Sequence, residues 1–204
     1  PRGVNAAVLS LADLAVRDKR EAEARAVLQR FGERDATPSQ LYRAAKLHTD
    51  LGDAAAGNAL LSRLPETNAE ERRDKVLLQA QLLRDTGKPG QAWDMLKALL
   101  ASTPDDANVL YDAALAAEKA GDNAAMERYL RRIIATDPKN YNAYNAQGYS
   151  YAERGVQLDE ARKLIGKALE ISPDSAHVQD SMGWLEFRSG NLDEALRLLT
   201  QAYA

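Results

Sequence analysis

Small and apolar side chains return every three or four residues along almost the whole chain. The clearest stretch runs Leu110, Ala113, Ala114 and Ala117, breaks, and resumes as Met126, Leu130 and Ile133. That spacing lays one face of an α-helix against a core, and the break separates two amphipathic helices. The breaks themselves recur. Glycine stands at Gly52, Gly87, Gly121, Gly155 and Gly190, in steps of 35, 34, 34 and 35 residues, and proline at Pro104, Pro138 and Pro173, each 17 or 18 residues after a glycine of that series. Glycine accepts the positive φ that closes a helix end, whereas proline lacks an amide donor and restricts the residue before it. The glycines therefore end a first helix and the prolines mark the connection after a second. The repeating unit is a helical hairpin of about 34 residues, too small to bury its apolar face alone, so successive hairpins must stack.

Six units follow, at 5–37, 38–72, 73–106, 107–140, 141–175 and 176–204, and they predict an all-α fold in one continuous array over 1–204. Three depart from the pattern. The first has no turn glycine and relies on Val8, Leu11, Ala12, Ala24, Leu28 and Phe31. The second has Gly57 where a small alanine is expected and lacks the terminal proline, and the fifth carries one extra residue near Val156 to Leu158. Gly148 and Gly183 are expected where two helices approach closely. The last hairpin presents Leu196, Leu199 and Ala202 on a face that a further unit, a capping helix or a second molecule would cover. The chain opens at Pro1 without an initiator Met and stops at Ala204 inside a helical pattern, so it reads as a piece of a longer polypeptide.

Composition narrows the functional classes. Two Phe and two Trp accompany a large stock of Ala and Leu, which suits an all-helical core of small and medium side chains. A net charge of minus three, with 27 basic residues scattered among 30 acidic ones, disfavours a general affinity for nucleic acid or anionic membrane. The absence of cysteine removes disulfides, thiolate metal sites and cysteine nucleophiles, and fits either the cytoplasm or a disulfide-free periplasmic protein. The two histidines, His48 and His177, are 129 residues apart with no neighbouring nucleophile or metal-ligand pattern, and each is expected at the surface or in a groove. Acid pairs such as Asp159 and Glu160, or Asp193 and Glu194, open second helices, where negative charge suits the helix dipole. No catalytic, cofactor or metal site is expected.

The residues resemble the tetratricopeptide repeat family. Unit five carries Tyr144, Gln147, Gly148, Tyr151, Gly155, Ala161, Ile165, Ala168 and Pro173; unit six Met182, Gly183, Gly190, Ala195, Leu199 and Ala202; unit three Gly87, Ala92 and Pro104. The resemblance implies a right-handed α-solenoid of about six hairpins that serves as a protein-protein interaction scaffold. Tyr144 and Tyr151 fall at its packing positions and are expected in the core. The last two units are also similar to repeats of a proteobacterial envelope family that includes outer-membrane lipoproteins acting in the periplasm as adaptors for a carboxyl-terminal processing protease. That likeness implies a periplasmic scaffold, anchored through a segment absent from this sequence, with a processing protease or another envelope protein as partner.

In the family the first helix of each hairpin lines a concave surface, and its second, fifth, ninth, twelfth and thirteenth positions face a ligand. Carried onto this chain, these are Tyr42 and Lys46 in the second unit, Leu77, Gln81 and Arg84 in the third, and Tyr111, Leu115 and Lys119 in the fourth. The fifth adds Asn142, Asn145, Tyr149 and Glu153, and the sixth His177, Asp180, Trp184, Phe187 and Arg188. Asn142 and Asn145 would serve an extended peptide backbone, while Tyr149, Trp184 and Phe187 would supply apolar pockets, with Trp184 turned into the groove and away from the helix contacts. Lys119, Asn145 and Arg188, on consecutive units, form a loose analogue of the Lys, Asn and Arg clamp with which a variant of the fold holds a terminal carboxylate. The expected function is a non-catalytic adaptor for a peptide or protein, with self-association through the C-terminal end as the alternative.

Overall fold

The structure, a computed structural model, describes residues 2–202 and contains, among those residues, twelve α-helices and no strand. The helices pair in order into six hairpins. In the first compact unit, residues 1–102, they are α1 (Arg2–Arg17) with α2 (Glu21–Leu28), α3 (Pro38–Asp50) with α4 (Ala54–Ser62), and α5 (Ala69–Asp85) with α6 (Pro89–Leu100). In the second, residues 103–204, they are α7 (Ala107–Lys119) with α8 (Asn123–Thr136), α9 (Tyr141–Arg154) with α10 (Leu158–Ile171), and α11 (Ala176–Arg188) with α12 (Leu192–Ala202). Among the described residues no helix is long and apolar enough to cross a membrane.

The punctuation fixes the helix ends. Short polar side chains start several helices: Asp53, Asn68, Asp122 and Asn140 each accept a hydrogen bond from the amide three residues on, and Thr37 with Gln40 forms a reciprocal capping box before α3. The five periodic glycines all take φ between +68° and +91°, as the spacing requires. The residue after each one donates back to the carbonyl five places earlier, as in Asp122 to Ala117 and Asn191 to Glu186, both 2.9 Å. The first hairpin makes the same turn without glycine. Lys19 takes φ +59° and Arg20 donates to the Ala15 carbonyl at 2.8 Å, so a lysine bears the strain that glycine avoids elsewhere. The extra residue of the fifth unit is absorbed at Gln157, which has φ +48° and starts α10 without a side-chain cap.

Between the ends, the hairpins close on small residues. A Cβ at Gly148 would lie 2.7 Å from Ile165 Cγ1, and one at Gly183 would lie 2.8 Å from Leu199 Cγ, so both glycines stand at close helix approaches as expected. At Gly57 a Cβ would meet Thr49 Oγ1 at 2.5 Å and the Ala45 carbonyl at 2.6 Å, which explains why alanine is missing there. In residues 103–204 the buried face of α7 and α8 runs through Leu110, Ala113, Ala114, Ala117, Met126, Leu130 and Ile133, as their spacing predicts. Beside it Tyr151, Ile165, Ala168, Val178 and Leu185 form the core of the last two hairpins, with Tyr144 half-buried against them.

One expected core position is wrong. Leu11 is 53% exposed, because the inward stripe of α1 runs through Asn5, Val8, Leu9, Ala12 and Ala15 and turns Leu11 and Leu14 outward. Asn5 is held in that stripe by two hydrogen bonds to the backbone of Gly32, at 2.8 and 2.9 Å. At the other end Leu196 is exposed, whereas Leu199 is half-buried over Gly183.

Two substitutions test this account by thermal and urea unfolding. Lys19→Gly is expected to stabilise the chain by about 1 kcal/mol, the left-handed penalty less the added freedom of the unfolded chain. Gly183→Leu is expected to destabilise by about 1 to 3 kcal/mol, since its side chain must displace Leu199. An unchanged midpoint for Gly183→Leu would refute the close approach.

Candidate peptide-binding face

Unit 2 supplies three successive first helices, α7, α9 and α11. Their register brings predicted residues together across turns 35 residues apart. At the start of α11, His177 Nε2 lies 3.2 Å from Asn142 Oδ1 and its Nδ1 lies 2.9 Å from Ser175 Oγ, with the ring 5.8 Å from that of Tyr141. His177 is therefore a surface residue that ties α11 to α9.

Further along, Trp184 and Phe187 stack with ring centroids 5.2 Å apart and planes 26° apart. Phe187 is 48% exposed and Tyr149, on α9, 39% exposed. Trp184 occupies both environments. One side of the indole packs on the Tyr151, Ile165 and Leu185 core, so the expectation that it turns wholly into the groove is corrected: the ring is half-buried between core and stack. Its Nε1 is enclosed and has no hydrogen-bond partner, and the same holds for Asn145 Oδ1. Such groups are costly to leave unmet.

The C-terminal end of the face is closed by Arg188. Its Nη1 donates to the Glu153 carbonyl at 2.5 Å, and its guanidinium carbon sits 5.8 Å from the Trp184 ring centroid. A Cβ on Gly155 would lie 2.9 Å from Arg188 Nη2, so that glycine also clears the path of the side chain. Arg188 thus caps the last turn of α9, where carbonyls lack helical partners. One donor of Arg188, expected with Asn145 and the exposed Lys119 in a carboxylate clamp, is thus held by the Glu153 carbonyl.

Charge around the aromatics is negative. The Tyr149 phenol is held above its ordinary pKa, first by burial and then by the carboxylates of Glu153, Asp180 and Glu118. These come from α9, α11 and α7, so three first helices contribute to one neighbourhood. Sequence mapping named Glu153 and Asp180 but passed over Glu118, although Glu118 is the twelfth residue of α7 and so holds a ligand-facing position of the same register. Tyr111, half-buried on α7, is already engaged by another group of the chain.

Unit 1 treats its corresponding positions differently. Tyr42 donates to Asp85 at 2.6 Å, and burial followed by this bond pushes its phenol far above the ordinary range. Lys46 pairs with Asp50 at 2.6 Å. Leu77 lines a cleft of about 330 Å³ with Pro38, Leu64, Pro65 and Leu78. Tyr42 and Lys46 are thus engaged within the chain, whereas Asn145 Oδ1 and Trp184 Nε1 are not.

A family model described as tetratricopeptide repeat matches residues 77–125 and 111–176, a range that holds the turns at Gly87, Gly121 and Gly155 and the close helix approach at Gly148. The chain belongs to the tetratricopeptide repeat family. It is 36% identical over 204 residues to a TPR repeat-containing protein of Pseudomonas aeruginosa, covering 98% of this chain and 34% of that protein, so it spans about one third of the relative's length. Two solved structures share the fold. A crystal structure of MamA is 19% identical with a TM-score of 0.52 over 98% of this chain and 90% of its own. A tetratricopeptide repeat protein from Parabacteroides merdae is 18% identical with a TM-score of 0.58, over 80% of this chain and 64% of its own. Proteins of the tetratricopeptide repeat family generally mediate protein-protein interaction, and the family is typically non-catalytic.

The electrostatic neighbourhood is open to direct titration. Glu153→Gln with Asp180→Asn is expected to move the Tyr149 pKa down toward its ordinary value, with the share due to burial remaining. Tyrosine ring carbon shifts followed by NMR would read this, and an unmoved Tyr149 would separate the carboxylates from the phenol.

Proposed function

We propose that this chain is a non-catalytic scaffold that holds an extended segment of a protein partner against α7, α9 and α11 of unit 2. The observation that carries the reading is the exposed aromatic surface on α9 and α11. Tyr149 and Phe187 stand open to solvent, Trp184 stacks behind Phe187, and enclosed Trp184 Nε1 and Asn145 Oδ1 lack partners. Aromatic side chains are frequent binding anchors, and main-chain recognition gives affinity without demanding one sequence. Asn142, Asn145, Asp180 and Lys119 supply the polar rim, and Arg188 fixes the end of α9. Tyr111 contributes at the α7 side.

The resemblance of the last two units to envelope adaptor repeats supports a place in the periplasm, with a processing protease or its envelope substrates as partner. Fractionation of cells carrying the full-length native protein would decide the compartment. The alternative is self-association through α12, favoured by Leu192 and Leu196, which are 61% and 69% exposed one turn apart. A protein that stays monomeric by light scattering across a concentration series would remove that alternative.

The half-buried Trp184 makes Phe187 the cleaner probe of the main reading. Phe187→Ala is expected to leave the melting temperature nearly unchanged and to weaken partner capture by about 2 kcal/mol. Trp184→Ala is expected to lower both, at a cost of about 1 to 3 kcal/mol in stability because only part of the ring is buried. Affinity capture from the source cells, quantified by mass spectrometry for wild type and both variants, measures the first quantity. Capture unaffected by Phe187→Ala would place the partner elsewhere.

A further inference from the structure

The charges on the α7, α9 and α11 face specify which kind of segment it takes. In unit 2 most carboxylates near a cation are paired: Asp105 with Arg132 at 2.7 Å, Glu127 with Arg131 at 3.0 Å, Glu194 with Arg197 at 2.7 Å, and Glu186 with Arg162. Glu118, Glu153 and Asp180 are different. Among the described residues none of the three has a salt-bridge partner, although they lie on three helices that converge on Tyr149. Arg188, at the end of the same face, donates to the Glu153 carbonyl and makes no salt bridge with any of the three. The imbalance extends to the whole unit, where residues 103–204 hold sixteen acidic residues against eleven basic ones, while residues 1–102 hold fourteen against sixteen.

Three unpaired carboxylates beside exposed aromatic faces favour one chemistry. A Lys or Arg side chain laid over the exposed Tyr149 or Phe187 ring would meet the negative face of a ring and a carboxylate within the same step of an extended chain. A terminal or side-chain carboxylate would meet Glu118, Glu153 and Asp180 as like charges. Resting on the functional reading above, we infer that the occupant of this face is a basic segment of a partner protein, in which Lys or Arg alternates with apolar residues. The α7, α9 and α11 face therefore selects against acidic chain ends, the opposite polarity to a Lys, Asn and Arg clamp.

The experiment is selection of binders from a displayed library of random decapeptides. It uses the full chain as wild type, as the Phe187→Ala variant, and as Glu118→Gln with Glu153→Gln and Asp180→Asn, each first shown to melt like wild type. Peptides retained by wild type are expected to be enriched in Lys and Arg next to aromatic or aliphatic residues. The best of them, resynthesised, is expected to lose at least ten-fold in affinity to the carboxamide variant and to weaken as salt rises. Retained peptides without a basic bias, or a basic bias that survives the carboxamide changes, would overturn the inference. If those peptides still lost affinity to Phe187→Ala, the groove reading would stand without it. Retention by wild type of peptides indifferent to both variants, or of none above background, would remove the two together.

Discussion

Every hairpin in this chain depends on one backbone residue in the left-handed region, placed directly after the first helix. With φ positive at that point, the next amide reaches back five residues and the chain reverses within a few positions. The second helix then falls against the first at a distance that only small side chains allow, at Gly57, Gly148 and Gly183. Five glycines meet the requirement without strain, and Lys19 meets it with strain. Because the turn repeats at nearly constant spacing, the first helices within a unit present the same register positions, which is why residues 35 apart, such as Asn142 and His177, touch.

That shared register turns a packing solution into a surface. In unit 1 the surface is satisfied from within, by Tyr42 on Asp85 and by Lys46 on Asp50. In unit 2 the core is equally complete, yet the outer edge of α9 and α11 keeps exposed rings and enclosed polar atoms that pair with nothing in the chain. Folding alone would not favour such groups, since each unmet donor or acceptor costs on the order of 1 to 3 kcal/mol. Arg188 holds the end of the face in shape through its bond to the Glu153 carbonyl.

Most of the fold could be read from spacing, because glycine and proline impose their effects locally. The five turns, the close approaches at Gly148 and Gly183, and the core around Leu110, Met126 and Ile133 all followed from residue type and interval. The misread positions have in common that a local pattern fitted more than one register. Leu11 lies on a helix with apolar residues on two faces, and only packing decides which face is inward. Trp184 was assigned to one environment where a large ring spans two. The bond from Arg188 to a carbonyl 35 residues earlier is another feature of which sequence gives no sign. Glu118 was within reach of the register argument and was overlooked beside its neighbour Lys119.

The central claim is that a polypeptide partner lies on the α9 and α11 face of unit 2. A photo-crosslinking residue placed at Phe187, and in a separate protein at Lys163 on the exposed side of α10, tests it in cells of the source organism. The account predicts a defined crosslinked protein product from position 187 and none of the same mass from position 163. A product from position 163 alone, or identical products from both, would contradict it.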